Sequence, residues 1–241
     1  MSKTINSIGE TTTLLIIHQY RNHPVTIPNP YRRDTEQTEN NKLKNHFRLI
    51  KTETLKLLKP FQPPIYLIGY MGAGKTTAGR LLAERLGWHF VDLDEAFAEI
   101  HGQTPAEYIR QFGIEDFRKK EKYVVEDLAE LPIEKVIYAT GGGYPCWEDN
   151  MECLAELGTS IYIKWHPKHL AQRLMLTDLS QRPVLQGRTL EELLQFITPQ
   201  IQAREPYYAK ADYTIEAPIK DIAEEDDKNI AEIIYELIQN S

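Results

Sequence analysis

From Ile65 onward the chain alternates short apolar runs with longer stretches of helical period. Strands are predicted at Ile65–Gly69, His89–Leu93, Lys135–Thr140, Ser160–Trp165 and Tyr213–Glu216, each a run of the length and composition buried inside a sheet. Between them, apolar positions recur every three or four residues. The spacing predicts helices over Thr76–Leu86, Pro105–Phe112, Ile114–Leu131, Trp147–Leu157, Pro167–Met175 and Leu190–Arg204. A shorter helix runs through Ala96 to Ile100, with Asp94 as a candidate N-cap. A final one carries Ile230, Ile233, Ile234, Leu237 and Ile238 on a single stripe. Strands alternating with helices imply an α/β fold of three layers: a central parallel sheet of about five strands, with helices on both faces. Ligands of such sheets bind beyond the carboxyl ends of the strands.

The first strand end carries the strongest signal. Gly69 to Thr76 matches G-x-x-x-x-G-K-[ST], with a strand before it and a helix after it. Its glycines let backbone N–H groups curl around an anion, and the following helix adds the partial positive charge of its N-terminus. The pattern marks a nucleoside-triphosphate site. Gly72, Ala73, Gly74, Lys75, Thr76 and Thr77 are its expected lining, with Lys75 reaching the β- and γ-phosphates and the Thr76 hydroxyl serving Mg²⁺.

Other strand ends carry chemistry too. Asp92 and Asp94 are two apart, so an extended chain points both to one side, where one serves metal waters and the other an acceptor hydroxyl. Gly141-Gly142-Gly143 is more glycine than a turn needs and suggests backbone close to a ligand. Arg118, near the start of a helix, is poorly placed for the macrodipole and better placed for an anion. Glu121 follows it by one turn. Arg182-Pro183 lies in a polar stretch of lid-like length, near 177–188, from which Arg182 can reach a transferring phosphoryl group. Arg204 closes the next predicted helix, where it serves either the helix end or a ligand. His166 and His169 have no evident third ligand and are assigned to a solvated loop and helix start.

Charge changes the picture of the N-terminal sixty residues. The chain of 241 residues has a net charge of −7, from 28 Lys and Arg against 35 Asp and Glu. Residues 1–60 hold ten of those bases and five of the acids, leaving 18 bases and 30 acids for the rest. A domain that acidic repels nucleic acid and acidic membrane, so any anion it holds needs local arginines and backbone amides. Residues 1–60 show no sustained period and are expected to be a poorly ordered N-terminal extension, with 61–241 as the functional domain. The extension carries two serines and five acids, against the pattern of an organelle-targeting peptide. No apolar run approaches the roughly 20 residues that span a bilayer. The two cysteines, Cys146 and Cys153, have no metal or redox spacing, which fits reduced thiols and a cytoplasmic location.

From about Ile65 to its C-terminus the chain resembles shikimate kinase. The resemblance rests on the phosphate loop, Asp92-x-Asp94, Gly113-x-x-x-Phe117-Arg118, Gly141-Gly142-Gly143, Arg182-Pro183 and Arg204-x-Pro206-x-Tyr208, in the family's order. It implies transfer of the ATP γ-phosphate to the 3-hydroxyl of shikimate, with Mg²⁺, in aromatic amino-acid biosynthesis. By that resemblance Asp94 meets the hydroxyl, while Arg118 and Arg204 clamp the shikimate carboxylate. Gly142 and Gly143 offer backbone donors and Glu121 supports the pocket. Thr76 and Asp92 serve the metal, Lys75 and Arg182 the phosphates, and Arg173 the adenine face. A monomer is expected. The sixty-residue extension has no counterpart in the usual single-domain enzyme, and Tyr144-Pro145-Cys146 after the glycines is unusually bulky.

Two other readings compete. Another small-molecule kinase of this fold, acting on gluconate or a nucleoside monophosphate, selects a different acceptor, and the arginine pair with the triple glycine argues against it. A regulator that binds ATP without turnover has no need of Lys75, Asp92 and Asp94 together.

Overall fold

In the computed structural model, residues 48–51, 61–177, 185–217 and 226–240 are described. In chain order the elements are β1 (Arg48–Lys51), β2 (Ile65–Ile68), α1 (Lys75–Leu86), β3 (His89–Asp92), α2 (Leu93–His101), α3 (Pro105–Phe112) and α4 (Ile114–Ala129). There follow β4 (Val136–Ala139), a 3₁₀ turn (Tyr144–Cys146), α5 (Asn150–Leu157), β5 (Thr159–Lys164), α6 (Pro167–Met175), α7 (Leu190–Tyr208), β6 (Tyr213–Glu216) and α8 (Asp226–Gln239).

The sheet order is β1-β6-β5-β2-β4-β3. The five strands from β2 to β6 are parallel, as the alternation of strand and helix requires. Ile65, Tyr66, Leu67 and Ile68 are all fully buried. Because successive strand residues face opposite sides, both faces of β2 are covered. The strand is central, with β4 on one side and β5 on the other. The direction of winding therefore reverses at β2, and the crevice at its carboxyl end is where such a sheet binds ligands.

The fifth parallel strand is followed by α8, which packs on α1. Ile230 and Ile234 are fully buried, Leu237 nearly so, and Ile233 and Ile238 flank them half-buried. The stripe read from the sequence is the packed face.

Four local expectations change. First, residues 48–51 form a sixth strand, antiparallel to β6 at the sheet edge, in a segment the pattern assigned to no element. Four residues carry too little period to announce a strand that is defined by a neighbour's free backbone. Second, α2 begins two residues early: Asp92, not Asp94, is its N-cap, and its side chain accepts from the amides of Asp94 and Glu95. Third, Trp147–Leu157 is not one helix. The chain makes a 3₁₀ turn at Tyr144–Cys146, passes through Glu148 at φ 45°, and starts α5 at Asn150. Fourth, α7 runs past Arg204 and through Pro206 to Tyr208, although proline removes a donor from the ladder. Fully buried Tyr208 anchors that last turn.

The α8 stripe yields a stability test. Ile234→Ala should cost about 2–5 kcal/mol, as for truncation of a fully buried aliphatic residue. Ile233→Ala, half-buried one position away, should cost clearly less. Urea unfolding of both variants checks the register.

Candidate active site

The phosphate loop leaves β2 and enters α1 with Gly72 and Gly74 at φ 79° and 89°, the left-handed region that other residues avoid. No side chain caps α1, and no acidic residue lies in its first turn, whereas α2, α3 and α7 each have a side-chain cap and acidic residues there. The first-turn amides of α1 are thus left for an anion. The loop's carbonyls are held away from that cavity. Lys75 Nζ donates to the carbonyls of Gly69 (2.9 Å) and Tyr70 (3.0 Å). Arg173 Nε donates to Gly72 O (3.1 Å) and Trp165 Nε1 to Ala73 O (3.0 Å). Thr77 follows on the exposed side of the first turn.

Arg173, the expected adenine face, is at the loop. Its guanidinium lies 4.5 Å from the Trp165 ring and its Nη2 pairs with Asp227 at 2.6 Å. Trp165 and Asp227 were not among the residues singled out from the sequence. Asp227 is 54 residues from Arg173, and Trp165 also reaches back 92 residues to Ala73 O, so nothing local announces either role.

Thr76 and Asp92 meet directly. The Thr76 hydroxyl donates to Asp92 Oδ2 at 2.7 Å, while Asp92 Oδ1 caps α2. Asp92 and Asp94 do not share a strand face as expected, because the chain turns helical at Leu93. They are separated into two settings, Asp92 toward the phosphate loop and Asp94 toward the glycine loop. Thr76 and Asp92 are hard oxygen donors, the set that suits Mg²⁺ when phosphate and water complete its shell. No cluster of three or more His, Cys, Asp or Glu suited to a metal occurs among the described residues.

After β4, the glycine loop forms the floor of a cup beside the phosphate loop. A Cβ on Gly141 would fall 2.5 Å from Glu121 Oε1 and 3.1 Å from Asp94 Oδ1. A Cβ on Gly143 would collide with the Arg118 guanidinium. Gly142 lies next to Met71 N and Gly69 O of the phosphate loop, and its carbonyl accepts from Arg204 Nη1 (3.1 Å) and from the Tyr208 hydroxyl. Three glycines thus let four charged groups approach one short backbone segment. Asp94, Arg118, Glu121 and Arg204, taken from α2, α4 and α7, converge there. Arg118 is not a solvated surface residue: its side chain is 13% exposed and pairs with Glu121. Arg204 does not serve the end of its helix; it reaches across to Gly142. Arg182, Pro183 and the rest of 178–184 in the expected lid lie outside the described residues.

Comparison with known proteins agrees with this geometry. The sequence profile described as shikimate kinase matches residues 71–239. The chain belongs to the shikimate kinase family. A shikimate kinase of Parabacteroides distasonis is 39% identical over 174 residues, which cover 72% of this chain and 98% of that one. One from Bacteroides fragilis is 42% identical over 149 residues, 62% of this chain and 82% of its own. Among solved structures, shikimate kinase from Bacteroides thetaiotaomicron has a TM-score of 0.66 at 36% identity, covering 73% of this chain and 97% of that one. The Acinetobacter baumannii enzyme, solved in complex with shikimate, has a TM-score of 0.61 at 31% identity, covering 79% and 98%.

In this member of the family Glu121 is a buried acid of the cup. It is 2% exposed, and its Oε1 is buried without a hydrogen-bond partner. Burial raises its pKa from 4.5 to about 7; the Arg118 charge pulls it down and the Asp94 charge pushes it up. Between those two values the folded chain holds a proton that the unfolded chain has released. The stabilisation from this group is therefore full below about pH 4.5 and is lost as pH rises through about 7. Glu121→Gln removes the titration. Thermal unfolding from pH 4.5 to 8 should show the variant gaining on the wild type as pH rises, and a constant difference would refute the shifted pKa.

Proposed function

We propose that the chain catalyses ATP-dependent phosphorylation of the 3-hydroxyl of shikimate. One observation carries this reading: two arginines, Arg118 and Arg204, meet Asp94 on the Gly141–Gly143 loop, which itself abuts the phosphate loop. Planar guanidinium forks suit a carboxylate, so the cup selects a hydroxy acid over a neutral sugar. A carboxylate clamped by both arginines leaves the rest of a small ring to reach Asp94. The arginine pair separates an acid from a neutral acceptor; gluconate is also a hydroxy acid, so a direct assay of shikimate beside gluconate and nucleoside monophosphates separates the rivals.

ATP lies with its phosphates against the loop amides and the N-terminus of α1. Lys75 exchanges its carbonyl contacts for the β- and γ-phosphate oxygens, and the resemblance assigns Arg182, outside the described residues, to the same phosphates. Arg173, held on Trp165, gives one face to adenine. Thr76 and Asp92 would hold Mg²⁺, which would supply positive charge to the phosphates. Asp94 orients the acceptor hydroxyl, whose oxygen bonds to the γ-phosphorus as the bond to the bridging β-oxygen breaks. The hydroxyl proton passes to Asp94 or to solvent. A loose phosphoryl transition state needs alignment and positive charge more than a strong base, so Asp94 acts chiefly by orientation. Gly142 and Gly143 contribute backbone donors, and Glu121 holds Arg118.

The same proposal makes 61–241 the catalytic unit and the protein a cytoplasmic monomer. The cytoplasmic location is supported by two free thiols at Cys146 and Cys153. No helix among the described residues is long and apolar enough to cross a membrane.

Steady-state kinetics test the assignment. Arg118→Ala should raise the KM for shikimate roughly ten- to a hundredfold, the loss expected for a charged hydrogen-bonded contact, with the KM for ATP nearly unchanged. Lys75→Ala should instead lower kcat by about 10²–10³, as when a donor to transition-state charge is removed. Wild-type shikimate kinetics in Arg118→Ala would remove the acceptor-site assignment. A truncation lacking residues 1–60 should keep kcat, because the sheet edge it strips lies beyond β6, away from the loop.

A further inference from the structure

One residue of the phosphate loop is tied to the acceptor side, and the loop pattern leaves its identity free. Tyr70 is 3% exposed. Its carbonyl accepts from Lys75 Nζ, and its hydroxyl donates to Gln200 Oε1 at 3.0 Å, across to α7. One turn further along α7, the Arg204 guanidinium lies 5.1 Å from the centroid of the Tyr70 ring. Arg204 is held at its other side by the Gly142 carbonyl. The arginine is therefore fixed between a carbonyl and an aromatic face, an arrangement that immobilises the cation without neutralising it. Its guanidinium also meets the Tyr208 hydroxyl, and with five N–H donors the fork still has donors to offer a ligand.

A purely apolar residue would fill the space of the ring equally well. It would supply neither the hydroxyl that holds Gln200 nor the negative π-face beneath Arg204. The backbone of the same residue accepts from the lysine that engages the nucleotide. When Lys75 moves to phosphate, the Tyr70 peptide loses that bond, and its side chain carries the change to α7.

We propose that Tyr70 is a positioning residue that sets Arg204 for the acceptor carboxylate and couples the acceptor site to nucleotide binding. The proposal rests on the assignment of Arg204 to that carboxylate. It makes the phosphate loop a part of acceptor recognition as well as of nucleotide binding, through a side chain that never touches ATP.

The test measures shikimate binding by titration calorimetry, with and without a non-hydrolysable ATP analogue, in wild type, Tyr70→Phe, Gln200→Ala, Tyr70→Leu and Arg204→Ala. Tyr70→Phe and Gln200→Ala each remove the hydrogen bond and should weaken shikimate binding about two- to tenfold. Tyr70→Leu also removes the aromatic face and should add roughly two- to fivefold. The dependence of shikimate affinity on the analogue should shrink in all three, while affinity for the analogue alone stays close to wild type. In an Arg204→Ala background, Tyr70→Leu should have no further effect on shikimate. If Arg204→Ala binds shikimate as wild type does, the carboxylate assignment fails and this proposal with it. If Arg204→Ala is impaired while Tyr70→Phe and Gln200→Ala are not, the Tyr70 proposal alone is overturned. Weakened binding of the analogue with unchanged shikimate affinity also overturns it, since that is the pattern of a residue that only shapes the loop. Gln200 is half-buried on a helix surface, so its variant keeps the test decisive even if Tyr70→Leu does not fold.

Discussion

A loop that presents its amides to an anion must place its carbonyls elsewhere, and this molecule is arranged around that requirement. Four consecutive-region carbonyls, those of Gly69, Tyr70, Gly72 and Ala73, are each taken by a side-chain donor: Lys75 for the first two, Arg173 and Trp165 for the others. Buried carbonyls without partners are costly, and here their partners come from α1, from the end of β5 and from α6. The central position of β2 is what brings those elements within reach. The loop is thus as much a product of its surroundings as of its glycines.

The cup beside it obeys a different constraint, that of placing opposite charges close together without neutralising the site. Glu121 occupies one end of Arg118, and its burial leaves it between charge states near neutrality. Arg204 is held by the Gly142 carbonyl, the Tyr208 hydroxyl and the Tyr70 ring. The two arginines are therefore held in different ways. One has an ionisable neighbour and the other has dipoles and a π-face.

Sequence reading reached the site most directly where function demands a fixed local spacing. The phosphate loop declares itself because glycine, lysine and threonine must occur at set intervals along one strand-turn-helix. Arg118 and Gly141–Gly143 were legible as oddities, an arginine misplaced for the dipole and a surplus of glycine. Asp92 and Asp94 were read as a pair on one face, because the strand was taken to continue. Asp92 instead ends it, since its carboxylate satisfies the first amides of α2.

The sequence alone determined the alternation of strands and helices, the nucleotide loop and the apolar face of α8, because each is a repeat or a spacing within a few residues. Tertiary structure alone decided that Trp165 and Asp227 brace Arg173, that Tyr70 lies under Arg204, and that residues 48–51 extend the sheet edge. Apart from Trp165 and Arg173, which lie close along the chain, those pairings join positions from 54 to 168 residues apart. No local period encodes such a contact; it exists only once β2 has been set between β4 and β5.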